Sequence, residues 1–215
     1  MLKGRKVEKM TTKTELLLIR HGETEYNKKS IIQGQVDTEL NESGIKKAAE
    51  TAQFLENYQF DHIYSSDLKR AKKTASFIAD KLNLEIKESP KIREIDFGEW
   101  EGLKLEEIAA QDPENMAAWK NDPLSNGAPG GENITEFIKR INSFFDQLLE
   151  KHKGEKLIVV THGGVIKMYL REILAVQSKS FKQFQIDNTS LTEIKFYDDY
   201  AILTKMNYLV GDNFK

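Results

Sequence analysis

Arginine, histidine and glycine stand together at Arg20-His21-Gly22, directly after the apolar run Leu16-Leu17-Leu18-Ile19. A second histidine, His162, closes a similar run, Val159-Val160-Thr161, and is followed by Gly163-Gly164. Each run reads as a buried strand, and each His-Gly pair as the turn that ends it. Open α/β sheets hold their ligands outside the carboxyl ends of the strands. Two imidazoles at one such edge, with an arginine beside them, suit chemistry on an anion.

Phosphoryl transfer needs cations around the phosphate, a nucleophile in line with the leaving oxygen, and a proton for that oxygen. His21 suits the nucleophile. With one ring N–H held by a backbone carbonyl, its other nitrogen keeps a free lone pair. Arg20 and Arg70 suit the clamp, because a guanidinium fork matches phosphate oxygens where an ammonium does not. Arg70 falls in Ser65-Ser66-Asp67-Leu68-Lys69-Arg70-Ala71, the first turn of a helix entered from a strand, where anions collect. His162 is a second cationic partner once a dianion is bound. In the run Arg93 to Gly102, the carboxyls of Glu94, Asp96, Glu99 and Glu101 could each protonate a departing alkoxide and then activate water. Spacing does not choose among them. Taken singly, each residue has a plainer explanation, such as a histidine filling a turn or an arginine in solvent. Only the combination is specific.

The elements that must position these groups alternate between strand-like and helical periodicity. Glu15 to Ile19 reads as a strand. Asn41 reads as the cap of a helix to about Asn57, with Ile45, Ala48, Ala49, Ala52 and Leu55 on its inner face. Asp61 to Ser65 is a second strand. Asp67 or Ser66 then caps a helix carrying Ala71, Thr74, Ala75, Ile78 and Leu82, and Leu84 to Lys87 is a short third strand. Ile134 to His152 is strongly amphipathic, Leu157 to Thr161 is a strand, and a helix follows from about Val165 to Leu174. Leu191 to Tyr197 and Ala201 to Met206 pair as a hairpin through Asp198-Asp199. His62 opens a strand and His152 ends a helix, where a cation favours the dipole; neither receives a role. This order predicts an α/β fold, a mostly parallel central sheet with helices on both faces. The segment 96–133, rich in glycine and proline and holding Trp100 and Trp119, reads as a lid-like insertion with one or two short helices over the strand ends. The tryptophans serve either its core or the pocket mouth.

Composition sets the bounds. The 215 residues suit one domain over 14–215, behind a disordered extension at 1–13 that includes an alternative start at Met10. Net charge is −2, with 39% apolar and 31% charged residues, so no global field recruits nucleic acid or membrane. Attraction for an anion must come from local arginines. The absence of cysteine excludes thiol nucleophiles and thiolate metal sites and agrees with a cytoplasmic location. The basic N-terminus lacks an apolar h-region, and no run approaches the ~20 apolar residues of a membrane helix. Oligomeric state has no signature here.

Taken together, the motifs resemble the histidine phosphatase superfamily, the phosphoglycerate mutase-like group. The resemblance runs from about Glu15 to Tyr208. It rests on Arg20-His21-Gly22-Glu23-Thr24 with Asn27, on Gln33-Gly34, on Leu40-Asn41-Glu42-Ser43-Gly44, and on the Ser65 and Glu94 blocks. Gly130-Gly131-Glu132 and Thr161-His162-Gly163-Gly164 complete it. It implies a phosphohistidine on His21, a pocket of Arg20, Arg70 and His162, and Glu94 as proton donor. It further implies Asn27, Gln33, Gly34 and Gly163 as phosphate or substrate contacts. No metal or other cofactor is implied, and the sequence displays no clustered His/Asp/Glu ligand set. Within the group, mutases carry Arg-His-Tyr-Gly after the acid. Ile95-Asp96-Phe97-Gly98 in this chain instead resembles the broad-specificity and α-ribazole phosphatases, although Asn133 replaces the serine usual after Gly-Gly-Glu. The expectation is a phosphatase of small phosphorylated metabolites. The alternatives are a 2,3-bisphosphoglycerate-dependent phosphoglycerate mutase, or a phospho-ligand binding protein without catalysis.

Overall fold

The computed structural model describes residues 14–176 and 184–211; the proposed N-terminal extension lies outside them. One six-stranded sheet has the order β3-β2-β4-β1-β5-β6. The strands are β1 (Thr14–Arg20), β2 (His62–Ser65), β3 (Ile86–Glu88), β4 (Lys156–Thr161), β5 (Leu191–Phe196) and β6 (Ala201–Tyr208). The first four in chain order run parallel, and β5 and β6 add an antiparallel edge. The fold is therefore α/β with a mixed, mostly parallel sheet.

Alternation along β1 and β4 explains why both read as unbroken apolar runs. Leu16, Leu18, Leu157 and Val159 pack on one face against Phe137, Ile141, Phe145 and Leu148 of α6 (Ile134–Lys151) and Val165, Ile166 and Tyr169 of α7 (Gly163–Ile173). Leu17, Ile19, Ile158 and Val160 pack on the other against Ala52 and Leu55 of α2 (Glu42–Leu55) and Ala71, Ala75 and Ile78 of α3 (Lys69–Leu82). Each buried Leu, Ile, Val or Phe among them adds about 1.5–3 kcal/mol by leaving water. The alanine-lined helices lie on one layer and the aromatic-lined ones on the other.

Several expectations shift. Asn41 caps α2 through Gly44 N at 2.8 Å as predicted, but Ile45 and Ala49 are exposed and the inner face uses Gly44, Ala48, Thr51, Ala52 and Leu55. Neither Ser66 nor Asp67 caps α3. Its cap is Leu68, which makes no side-chain bond, because the Asp67 carboxylate is taken by Arg93 and the Ser66 hydroxyl by His162. Asp37, from a distant loop, accepts the free Lys69 N–H at 2.7 Å instead. β3 starts at Ile86 rather than Leu84, since Leu84 N still closes onto Ala79 O behind a left-handed Asn83. α7 begins at Gly163, two residues before the expected start. A one-turn helix, α1 (Glu25–Lys28), held by a Thr24/Asn27 capping box, was not expected.

The 96–133 segment holds α4 (Leu105–Gln111) and α5 (Pro113–Asn121) over their own small core of Trp100, Ile108, Met116 and Ala128. Glu99 N bonds Pro129 O and Glu132 N bonds Asp96 O, each at 2.9 Å, tying its two ends together. Its first turn reaches the loop after α1 through Gly102 N to Ile32 O at 2.8 Å.

Candidate active site

Register sets the site. Arg20 of β1 pairs with Thr161 of β4, so the next residues, His21 and His162, emerge side by side, ring centroids 5.1 Å apart. Ser65 of β2 pairs with Val160, which brings Ser66 to the same edge, 2.9 Å from His162 Nε2. Both histidines are buried.

His21 Nδ1 lies 2.7 Å from Gly22 O. A carbonyl only accepts, so the proton sits on Nδ1 and Nε2 keeps its lone pair. Nε2 has no hydrogen-bond partner among the described residues. Burial first, then the charges of Arg70 and Arg20, hold His21 well below the usual imidazole range. His162 is pushed down in the same way, by burial and then by Arg70, His21 and Arg20. The turn that carries His21 needs glycine: a Cβ on Gly22 would lie 2.8 Å from Gly44 O at the start of α2. Thr74 Oγ1 accepts the Gly22 N–H at 2.9 Å and donates to Arg70 O at 2.7 Å, linking both loops.

The two arginines are held from behind by carbonyls. Fully buried Arg70 donates to Val36 O and Gly34 O, each at 2.6 Å. Burial draws it down to about 10, which leaves it charged at neutral pH. Arg20 donates to Ile186 O at 2.7 Å; burial lowers it and the charges of Glu94 and Asp187 partly restore it. Among the described residues, four buried side-chain polar atoms have no hydrogen-bond partner, and three of them belong here: Arg20 Nε, Arg70 Nε and His162 Nδ1. Such atoms are rare in folded proteins because each forfeits its hydration. Three unsatisfied nitrogens on groups clustered about one imidazole are what an anion would satisfy.

The four carboxyls left open by spacing have different surroundings. Glu94 lies within electrostatic reach of Arg20 and Arg70 and lines an adjacent cavity, its oxygens accepting Ile95 N and Gly164 N at 3.0 Å each. Asp96 caps the turn at Gly98 N, Glu101 accepts Gln35 N and Phe97 N, and Glu99 is exposed. Gly164 matters to Glu94 sterically, since a Cβ there would fall 2.0 Å from Oε1. That atom ends a flexible side chain, so the carboxyl would swing away while the backbone stayed. Gly164→Ala is expected to keep or raise the melting temperature, because alanine suits a helix better by about 0.5–1 kcal/mol. The same change should lower kcat about tenfold or more by misplacing the carboxyl. A kcat equal to wild type would show that Glu94 position is immaterial.

The amides expected as contacts are engaged in building the loop. Asn27 Oδ1 accepts from Thr24 N and Asn188 Nδ2. Gln33 Oε1 accepts the hydroxyls of Thr24 and Thr38. The amide NH2 ends are the donors left over. Gly34 supplies the carbonyl under Arg70, and Gly163 lets the Arg20 guanidinium pass 3.3 Å from where its Cβ would be. Sequence reading missed Ser66, Thr74, Asn188, which donates to His21 O at 3.0 Å, and Arg140. Arg140 ties the carbonyls of Lys91, Arg93 and Glu94 to Glu132.

One expectation is corrected. His62, His152 and Glu155 do form a cluster of ligand-type atoms, within 4.8 Å of one another, at the opposite end of β2 from Ser66. Glu155 Oε2 lies 2.5 Å from His152 Nδ1 and 3.2 Å from His62 Nε2. Lys87 Nζ is 3.2 Å from His62 Nδ1. An ammonium only donates, so it takes the Nδ1 lone pair and leaves the ring proton on Nε2, facing Glu155. The cluster is therefore a hydrogen-bonded tie between α6, β4 and β2, extended by Tyr64 on His152 Nε2 at 2.8 Å. Ninety residues of separation hide it from the sequence.

A parallel sheet presenting buried imidazoles, paired guanidiniums and a carboxyl at its carboxyl edge has the constitution of an α/β enzyme for phosphate esters. The chain belongs to the histidine phosphatase superfamily (branch 1), whose family model matches residues 16–209, and it is a phosphomonoesterase. Phosphoserine phosphatase 1 of Hydrogenobacter thermophilus is 34% identical over 193 residues, covering 90% of this chain and 92% of that protein. The α-ribazole phosphatase structure from Shigella flexneri superposes with a TM-score of 0.84 at 29% identity, over 93% and 99% of the two chains. A phosphoserine phosphatase from Entamoeba histolytica, solved with 3-phosphoglyceric acid, gives 0.81 at 34% identity, over 91% and 97%. No described helix is long and apolar enough to cross a membrane.

Proposed function

We propose that the protein hydrolyses small phosphomonoesters without a metal, through a phosphohistidine on His21. The observation that carries this reading is the trio of buried, unsatisfied nitrogens on Arg20, Arg70 and His162 beside an imidazole whose Nε2 is free. In the first step Nε2 attacks phosphorus, the P–N bond forms and the ester P–O bond breaks. The departing oxygen takes the electron pair and receives the proton of the Glu94 carboxyl, leaving as the alcohol. In the second step the Glu94 carboxylate removes a proton from water, the water oxygen attacks phosphorus, and the P–N electron pair returns to Nε2. Inorganic phosphate departs with Glu94 protonated again. Relatives named for phosphoserine and α-ribazole substrates support a small phosphorylated metabolite as the ester.

Rapid quenching during turnover of a 32P-labelled ester is expected to trap an acid-labile, base-stable phosphoenzyme, with phosphate released at an undiminished rate in a metal chelator. Abolition of turnover by the chelator would overturn the metal-free mechanism. Isomerisation of phosphoglycerate dependent on a bisphosphorylated primer, without net phosphate release, would establish the mutase instead.

A further inference from the structure

Glu94 and Gly164 also line a cavity of about 310 Å³, together with Phe97, Trp100 and Trp119 and with Ile31, Ile32 and Leu105 at its sides. Since Glu94 is the proposed proton donor, the leaving alcohol must depart on this side of the phosphorus. Whatever the alcohol carries therefore occupies this cavity. A cavity of about 150 Å³ already admits benzene, so this one has room for a ring and a substituent. Trp100 is buried and anchored by its Nε1–H to Asp112 at 2.9 Å, and Trp119 stands edge-on to it, centroids 5.9 Å apart at 88°. Phe97 meets Trp119 at 67°. These rings make an apolar corner fixed by its own packing.

Among the described residues, the one cation in this wall is Lys167, one turn into α7 from Gly164. It is half-buried and makes no hydrogen bond or ion pair among the described residues. Arg20 repels it, Glu94 and Asp187 attract it without touching it, and burial with the Arg20 charge draws its ammonium below the usual lysine range. An ammonium held out of water unpaired is unfavourable unless something charged comes to it. The N-terminus of α7 adds further positive potential.

We infer that the alcohol moiety of the substrate is ring-bearing and also anionic, its ring seated in the corner of Phe97, Trp100 and Trp119 and its anionic group against Lys167. This rests on the phosphatase reading and deepens it. Small polar esters enter the same phosphate pocket but leave the apolar corner and the ammonium unmet.

The test compares four esters of primary alcohols, matched in intrinsic leaving-group reactivity: glycerol 1-phosphate, phosphoserine, benzyl phosphate and 4-carboxybenzyl phosphate. For wild type, kcat/KM should rise about tenfold or more from the first pair to benzyl phosphate, as apolar pockets discriminate on that scale. It should rise again, about tenfold, for the carboxylated ring. Lys167→Met is expected to collapse the ratio of carboxybenzyl to benzyl towards one, and Trp119→Ala to collapse the ratio of benzyl to glycerol. Ratios within one variant do not depend on how much of it is folded. Glycerol phosphate or phosphoserine turned over as well as the benzyl esters would overturn the inference while leaving the phosphatase intact. A Lys167→Met loss shared equally by all four esters would assign the lysine to Glu94 and overturn the anionic half. Failure of wild type to release phosphate from any of the four would overturn the phosphatase reading itself.

Discussion

His21→Ala is expected to lower kcat by at least about four orders of magnitude, the scale seen when a covalent nucleophile is removed, and to abolish the quenched phosphoenzyme. Nothing else in the hollow can replace it. His162 engages Ser66 through Nε2, and its Nδ1, though unsatisfied, belongs to a ring whose proposed task is cationic. The arginines are cations without a free lone pair, and the Glu94 carboxyl is held by Ile95 N and Gly164 N as the proposed proton donor. The substitution should nevertheless spare phosphate binding, because the guanidiniums are held by Gly34, Val36 and Ile186 carbonyls and not by the imidazole. Titration calorimetry with inorganic phosphate should find Kd within about tenfold of wild type, a change of no more than about 1.4 kcal/mol. Lost turnover with retained binding identifies a nucleophile. Loss of both would identify a structural histidine, and turnover within tenfold of wild type would remove His21 from the chemistry.

The separation between the proposed clamp and the proposed nucleophile also explains which parts of the candidate site are legible in sequence. Arg20, His21 and His162 are readable because strand ends in a parallel sheet announce themselves: a strand buried on both faces must be apolar throughout, so the polar residues that follow mark the edge. Arg70 is readable from the first turn of the helix that follows such a strand. The groups that aim them are not readable. Gly34, Val36 and Ile186 act through backbone carbonyls, which every residue carries. Ser66 and Thr74 act through hydroxyls that sequence alone reads as a cap and a helix-face residue. The turn at 186–190 follows no periodicity. It reaches β1 because β5 pairs antiparallel with it, Leu191 opposite Ile19, which puts Thr189 N 3.0 Å from Arg20 O.

The misplaced cap has one cause, competition for a polar side chain from outside its own segment. The α3 cap failed because Asp67 and Ser66 are taken by Arg93 and His162, partners 26 and 96 residues away. Asn41 succeeded as a cap because it bonds Gly44 N in the first turn of its own helix; Asn133, not foreseen as a cap, does the same to Glu136 N. Ile45, apolar yet 41% exposed, marks where helical periodicity overshoots: the sheet contact of α2 is narrow, and Gly44 rather than Ile45 lies against the His21 loop.

Acid should destabilise this protein steeply; the two buried histidines carry most of the slope, and His62, also lowered by burial and Lys87, adds a smaller part. In the unfolded chain each imidazole titrates near 6.5; in the folded chain both lie well below that, from burial and from Arg70 and Arg20. As pH falls below about 6.5, the unfolded state therefore binds up to two protons that the folded state refuses. Stability is full above the unfolded value and is lost on acidification, until the folded histidines themselves titrate. Each group contributes at most about 1.4 kcal/mol per pH unit, and the pair about 2.7. Urea midpoints measured between pH 7.5 and 5.5 should fall accordingly, with about half the slope in His21→Ala. Bound phosphate should oppose the loss. A dianion beside the two guanidiniums makes a cationic His162 favourable, so phosphate binding at pH 7.5 is expected to take up protons, visible as a dependence of binding enthalpy on buffer ionisation. Flat stability across this range would mean that the imidazoles titrate freely in the folded protein. The lone pair on His21 Nε2 would then be taken by a proton as pH falls through about 6.5, and the nucleophile with it.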